Sequence, residues 1–264
     1  MGEALLKGVI DAGWAAAADL TVAETVEGRR SHLAGTLGIE VLAHAREAAE
    51  AAPVVVLAVK PQDVPSVLAE VAGAIDRDGL LISIAAGIPL SVLEHGIGPG
   101  IPVVRVMPNT PALIREGVAA LAPGQHADDA HLDIAEGVLG AVGHVVRVPE
   151  KYMDAVTALS GNGPAYVFLL AEALIDAGVA VGLPREVAEA LTLRTIAGAG
   201  RMLVETGRSP VDLRAMVTSP GGTTAAALRV LEGSGFRSIF YEALAAATER
   251  SHQLGRAAED DLAR

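Results

Sequence analysis

The sequence predicts an α/β protein in two domains. Residues 1–150 read as a doubly wound, Rossmann-like dinucleotide-binding domain lacking its first strand, and residues 151–264 as an all-α domain. Three observations carry this. Short β-branched runs alternate with amphipathic helical stretches up to about Glu150, the pattern of repeated βαβ units. The run "VVVLAV" (Val54–Val59) shows no polar alternation, as expected of a strand buried on both faces of a parallel sheet. After Glu150 strand signals stop and long apolar-periodic stretches follow.

Taken in order, the expected strands are Leu20–Glu24, Ile39–Leu42, Val54–Val59, Leu80–Ala85, Val103–Met107 and Val145–Val148, most of them bounded by Gly or Pro. Helices are expected between them at Gly28–Leu37, Arg46–Ala51 and Asp63–Ile75. In the second half they are expected at Lys151–Leu159, Ala165–Val181, Arg185–Thr206, Thr223–Glu232 and Phe236–Leu254, punctuated by Gly161–Pro164, Gly182–Pro184 and Ser219–Gly222. "AYVFLLAEALIDAGVAVG" is apolar around much of its circumference. So small a domain offers little interior to hide it, so burial against a second subunit is expected.

Half of the 264 residues (51%) are hydrophobic and 20% are charged, which suits a folded chain with a sizeable core. Only seven residues are aromatic (three Phe, three Tyr, one Trp), so Ala, Val, Leu and Ile must build that core. The formal net charge of −12 argues against nucleic acid and anionic membrane as partners. With no cysteine there is no disulfide framework, thiolate zinc site or cysteine nucleophile. The seven histidines show no i, i+4 pair, and no metal site is expected. No apolar run reads as a transmembrane helix and no signal peptide is recognised, so a soluble cytoplasmic protein is expected.

Two sets of residues could carry chemistry. In "MVTSPGGTTAAAL" (Met216–Leu228), Pro220 is expected at the first helical position with Ser219 as N-cap. The glycines leave backbone amides uncovered, and such a helix start suits a carboxylate or phosphate. The second set lies where strands end, since ligands of a doubly wound sheet bind outside the carboxyl ends of its strands. Three such ends bring main chain close to a ligand: Ala58-Val59-Lys60-Pro61, Ala85-Ala86-Gly87, and the "MPNTP" turn with Asn109. Together they read as a nucleotide site.

"AVKPQ" (Ala58–Gln62), "MPNTP" (Met107–Pro111), "SGNGPAY" (Ser160–Tyr166), "VTSPGGTTAAAL" (Val217–Leu228) and "GFRSIFYEAL" (Gly235–Leu244), in this order, resemble pyrroline-5-carboxylate reductase over essentially the whole chain. The resemblance implies reduction of 1-pyrroline-5-carboxylate to proline with NADPH or NADH, the last step of proline synthesis. It implies a dinucleotide-binding domain, a helical dimerisation domain, and dimers that often assemble into decamers. The substrate is a cyclic imine bearing one carboxylate. The amides at Gly221, Gly222 and Thr223 are expected to hold that carboxylate beside Ser219. By resemblance, Thr224 is the catalytic residue contacting the ring nitrogen, and Thr223 lines the same pocket. A hydroxyl orients and polarises more than it donates a proton. NADP is the expected cofactor, with NAD the alternative. Glu24 at the end of the second strand suits the ribose 2′-hydroxyl of NAD, whereas Arg29 and Arg30 could pair with the 2′-phosphate of NADP.

In the family a strand and a G-x-G-x-x-G turn precede "ALLKG"; here Gly2 takes the last glycine position and Met1 precedes it. Met1 and Gly2 are accordingly expected at the cofactor. Met1 is expected to be an internal methionine, with about ten residues of strand and turn upstream of it. The rival expectation is that the sheet closes up, the second strand pairing directly with the fourth. Competing readings are a related reductase of imines or 2-hydroxy acids, against which Lys151 stands as the only lysine of the helical half, and a dimeric remnant that binds no dinucleotide.

Overall fold

The computed structural model describes residues 1–50 and 52–262. The chain runs α1 (Gly2–Asp11), β1 (Thr21–Ala23), α2 (Glu27–Leu37), β2 (Glu40–Leu42), α3 (Ala45–Ala49), β3 (Val54–Leu57), α4 (Val64–Val71), β4 (Leu80–Ser83), α5 (Leu90–Ile97), β5 (Val103–Met107), β6 (Gly117–Pro123), α6 (Asp129–Gly140) and β7 (Gly143–Arg147). Helices α7 (Met153–Val156), α8 (Gly163–Ala180), α9 (Arg185–Glu205), α10 (Pro210–Met216), α11 (Thr223–Gly233) and α12 (Phe236–Leu262) follow. Two compact units result: Met1–Asn162 with the segment from Ala246 onward, and Gly163–Ala245. The first unit thus keeps α7 and the end of α12, beyond the boundary at residue 150 suggested by the loss of strand signals.

Strands β3-β4-β5-β6-β7 form one sheet, parallel throughout except where β6 runs antiparallel to β5. Period-two alternation sorts its side chains into two cores. Leu81, Val103, Ala120 and Ala122 meet α4 and α5 on one face, with Leu68, Leu90 and Leu93. Leu80, Ile82, Val104, Val106 and Leu121 meet α1 and α6 on the other, with Leu5, Leu132 and Leu139.

Strands β1 and β2 pair with each other in a separate parallel ribbon. Among the described residues no ladder joins β1 to β3, so the sheet does not close up as the rival expectation had it. Val54–Val56 are half-buried where full burial was expected, because β3 has a neighbouring strand on one side only. Strand β6 was not expected: "GVAALAP" is alanine-rich and bounded by Gly and Pro, a weak strand signal that pairing with β5 and β7 overrides. Helix α4 stops at Val71, short of the expected Ile75, before Gly73 at φ +75°. The last residue of the expected helix Arg46–Ala51 lies outside the described residues.

In the helical unit, α8 and α9 approach closely: a Cβ on Gly178 would stand 3.1 Å from that of Ala188. Little else is covered. Phe168, Leu169, Leu191, Val204 and Tyr241 are exposed, and among the helices of this unit only Ala188 and Leu213 are buried. The stretch Glu150–Ala180 is, by length and composition, long and apolar enough to cross a membrane. This corrects the expectation that no run reaches that length. The cause is close succession: a 3-10 turn, α7 and a π-helical turn lead through the single residue Asn162 into α8.

Candidate active site

The ends of β3, β4 and β5 are level, with Leu57 opposite Ser83 and Ser83 opposite Arg105. The loops Ala58–Pro61 and Ala85–Gly87 and the residue Asn109 therefore emerge on one sheet edge, where a doubly wound sheet takes its ligand. Ala85 is buried, Ala86 exposed, and Gly87 adopts φ +74°, a left-handed conformation suited to glycine. Lys60 precedes a 3-10 turn that Pro61 opens and that leads into α4.

Met1 caps α1, its carbonyl accepting the amide of Leu5 at 3.0 Å, and Gly2 is the first helical residue. A Cβ on Gly2 would lie 3.2 Å from the Cβ of Ala58, so the start of α1 and the end of β3 approach closely, and a side chain at residue 2 would press on Ala58. The first-turn amides of α1 have no intrahelical partner and suit a pyrophosphate. The cradle fits a dinucleotide.

At the end of β1 the expected selector residues are engaged within the chain. Glu24 accepts the amide of Val26 at 2.9 Å through Oε1. Arg30 donates to the carbonyls of Glu24 (2.9 Å) and Thr25 (2.8 Å). Arg29 donates to Glu3 on α1 at 2.8 Å, and His32 Nε2 lies 3.1 Å from the same carboxylate. Hydrogen bonds from Arg29 and then His32 hold the Glu3 carboxyl below the usual carboxylate range.

Asn109 is a strut. Its Oδ1 accepts the amide of Val118 at the start of β6 (2.8 Å), and its Nδ2 donates to the Ser160 carbonyl at 3.3 Å. Ser160 belongs to the π-helical turn Thr157–Gly161, where the amide of Asn162 reaches back five residues to Thr157 at 2.9 Å. Such single π turns cluster at functional sites. Ser160 had no role in the sequence reading beyond its place in "SGNGPAY"; helix periodicity does not register an inserted residue.

Among the described residues, Arg105 is the only charged one in the buried set. It donates to Glu150 Oε1 at 3.0 Å, and that oxygen also accepts the amide of Leu90 at 2.6 Å, fixing the start of α5 just beyond Gly87. Nothing in the sequence distinguished Arg105 within its apolar strand.

In the helical unit the "SPGG" stretch differs from expectation. Ser219-Pro220-Gly221-Gly222 is a turn closed by the Gly222 amide on the Ser219 carbonyl at 3.1 Å, with Gly221 at φ +70°. Proline second and glycine third is the signature of a type II turn, which is why it wins over helix here. Gly222, not Ser219, is the N-cap, and Thr223, not Pro220, starts α11. The amides of Thr223, Thr224 and Ala225 are those that a first turn leaves without intrahelical partners. Thr224 is half-buried and Thr223 exposed. A Cβ on Gly222 would collide with the Ser219 hydroxyl, which folds over the turn. Among the described residues no cluster of three or more His, Cys, Asp or Glu could hold a metal ion.

Residues 150–254 match the family described as pyrroline-5-carboxylate reductase dimerisation, and residues 1–87 match that described as NADP oxidoreductase, coenzyme F420-dependent. The pyrroline-5-carboxylate reductase of Corynebacterium melassecola is 43% identical, covering 97% of this chain and 96% of that protein. A pyrroline-5-carboxylate reductase structure from Coxiella burnetii matches with a TM-score of 0.91 at 38% identity, covering 96% of this chain and 94% of that one. The Plasmodium falciparum pyrroline carboxylate reductase with NADP bound matches with a TM-score of 0.84 at 33% identity, covering 97% and 94%. On the strength of this likeness across both units, the chain belongs to the pyrroline-5-carboxylate reductase family.

Proposed function

We propose that this chain reduces the C=N bond of 1-pyrroline-5-carboxylate to give L-proline, with NADPH as donor. The likeness to reductases of this name across nearly the full length of the chain carries the reading. NADPH supplies the hydride. The first turn of α1 binds the pyrophosphate, and the small residues at Ala58 and Ala85–Gly87 let the rest of the dinucleotide lie against main chain. Asn109 acts by holding Ser160 and β6, since both ends of its amide are already used.

At the other end of the reaction, the amides of Thr223, Thr224 and Ala225 hold the substrate carboxylate at the start of α11. Gly221 and Gly222 shape the turn that leaves them uncovered, and Ser219 closes it. The Thr224 hydroxyl contacts the imine nitrogen and orients the ring. That nitrogen is basic enough to arrive protonated, so the step needs no dedicated acid side chain. Fixing both the carboxylate and the ring converts an encounter into an oriented complex.

The protein works in the cytoplasm as a homodimer, with a decamer as the larger assembly. The exposed apolar faces of α8 and α9 are covered by the second copy rather than by lipid, which the match of residues 150–254 to a dimerisation family supports. A light-scattering mass near the chain mass of 26.8 kDa would contradict this. The function is tested by NADPH oxidation with 1-pyrroline-5-carboxylate against a panel of other cyclic imines and 2-oxo acids. Preference for another imine or oxo acid would transfer the chain to a related reductase. Absence both of turnover and of NADPH binding would make it a remnant.

A further inference from the structure

Gly255 lies inside α12, where a glycine weakens a helix relative to alanine and calls for a packing reason. A Cβ at this position would stand 3.4 Å from Pro89 Cγ and 3.7 Å from the Gly87 carbonyl oxygen. One residue earlier, Leu254 is the neighbour that a Cβ on Gly87 would meet, at 3.7 Å. The same helix face makes further contacts with the first unit. Ser251 is buried and donates to Asp154 at 2.7 Å. Ala258 packs on the α4–α5 core, and Glu259 accepts the hydroxyl of Ser91 at 2.7 Å. Residues 251, 254, 255, 258 and 259 follow the i, i+3, i+4, i+7, i+8 spacing of one stripe. At Leu254 and Gly255 that stripe lies against the loop between β4 and α5.

We infer that the end of α12 is the back wall of the cofactor loop Ala85–Gly87, and that Gly255 is a positioning residue for NADPH binding. The loop is fixed at one end by β4 and at the other by the Leu90 amide on Glu150, so its remaining freedom is to retreat or advance. The space at position 255 takes a methyl in ordinary contact with Pro89 and Gly87 but nothing longer, and this limit sets how far Gly87 and Pro89 stand back from the dinucleotide. A larger residue pushes both forward into the space the cofactor takes.

The inference rests on the reading of Ala85–Gly87 as a cofactor loop, and the test separates the two. NADPH dissociation constants are measured by fluorescence titration for the wild-type protein and for Gly255→Ala, Gly255→Leu and Ala86→Glu. Melting curves and the KM for 1-pyrroline-5-carboxylate are recorded alongside. Gly255→Ala is expected to bind like wild type. Gly255→Leu is expected to bind roughly tenfold more weakly, with melting and the imine KM unchanged. Wild-type binding by Gly255→Leu beside lost binding by Ala86→Glu would overturn the inference and leave the loop reading intact. Wild-type binding by both would overturn both. A Gly255→Leu protein whose melting, NADPH affinity and imine KM all worsen together would reduce Gly255 to a structural role. Should that variant not fold, Ser91→Ala tests the same seat. It is expected to weaken NADPH two- to threefold without a change in melting, and an unchanged affinity would overturn the inference.

Discussion

Asn109 donates its side-chain amide to the carbonyl of Ser160 at 3.3 Å, pinning the end of β5 to a π-helical turn fifty-one residues later. Its oxygen accepts from Val118, so the orientation of the amide is fixed from both ends. Asn109→Asp keeps the acceptor for Val118 but sets a carboxylate oxygen against the Ser160 carbonyl. The expected cost is about 1–3 kcal/mol of stability, read by urea denaturation. Because the π turn moves with it, kcat/KM should fall in the same variant. Wild-type stability and activity would remove Asn109 from the framework of the site.

The Arg105–Glu150 pair predicts a non-additive response. Glu150→Gln still accepts the Leu90 amide but strands a buried guanidinium, at a cost of about 1–3 kcal/mol, moderated because Glu150 is partly exposed. Adding Arg105→Leu removes the stranded charge, so the double variant should be more stable than Glu150→Gln alone. A double variant less stable than the single would show that the guanidinium makes a contribution the ion pair does not explain.

Acid should loosen the surface before it reaches the core. Hydrogen bonds from Arg237 lower the carboxyl of Glu232, and those from Arg147 lower that of Glu136. A carboxyl lowered in the folded state adds stability above its unfolded value, about 4.3, and that stability is lost as pH falls through the folded value. The melting temperature of wild type should therefore drop below this pH more steeply than that of the Glu136→Gln, Glu232→Gln double variant. High salt should shrink the difference, since both pairs are exposed. Parallel acid profiles for the two proteins would contradict this.

Thr224→Ala should lower turnover without unfolding the protein. Loss of one neutral hydrogen bond in the transition state corresponds to about 1–3 kcal/mol, or roughly tenfold to a hundredfold in kcat/KM. The α11 cap does not depend on Thr224, because Gly222 is the N-cap, so melting should be unchanged. An unaltered kcat/KM would place the nitrogen contact elsewhere.

Period and punctuation made the alternating βα pattern legible, and the strand ends with it. What escaped were features that no local period encodes. Strand β6 is alanine-rich and takes its conformation from β5 and β7. The split between β1 and β3 is a matter of pairing partners. The helix start falls at Thr223 and not at Pro220, because Ser-Pro opens a helix as plausibly as a type II turn; the left-handed Gly221 decides between them. Arg105, Ser160 and Gly255 each act through residues between 45 and 166 positions away, at Glu150, Asn109 and Pro89. Nothing local in the sequence could link them.

The central claim is hydride delivery from NADPH to the imine carbon of 1-pyrroline-5-carboxylate. It is tested most directly with NADPH carrying two deuterium atoms on the reactive nicotinamide carbon and mass and magnetic-resonance analysis of the product. The expected product is L-proline bearing one deuterium on the ring carbon next to nitrogen and distant from the carboxylate. Unlabelled proline, deuterium at another carbon, or no proline from a folded protein that binds NADPH would contradict it.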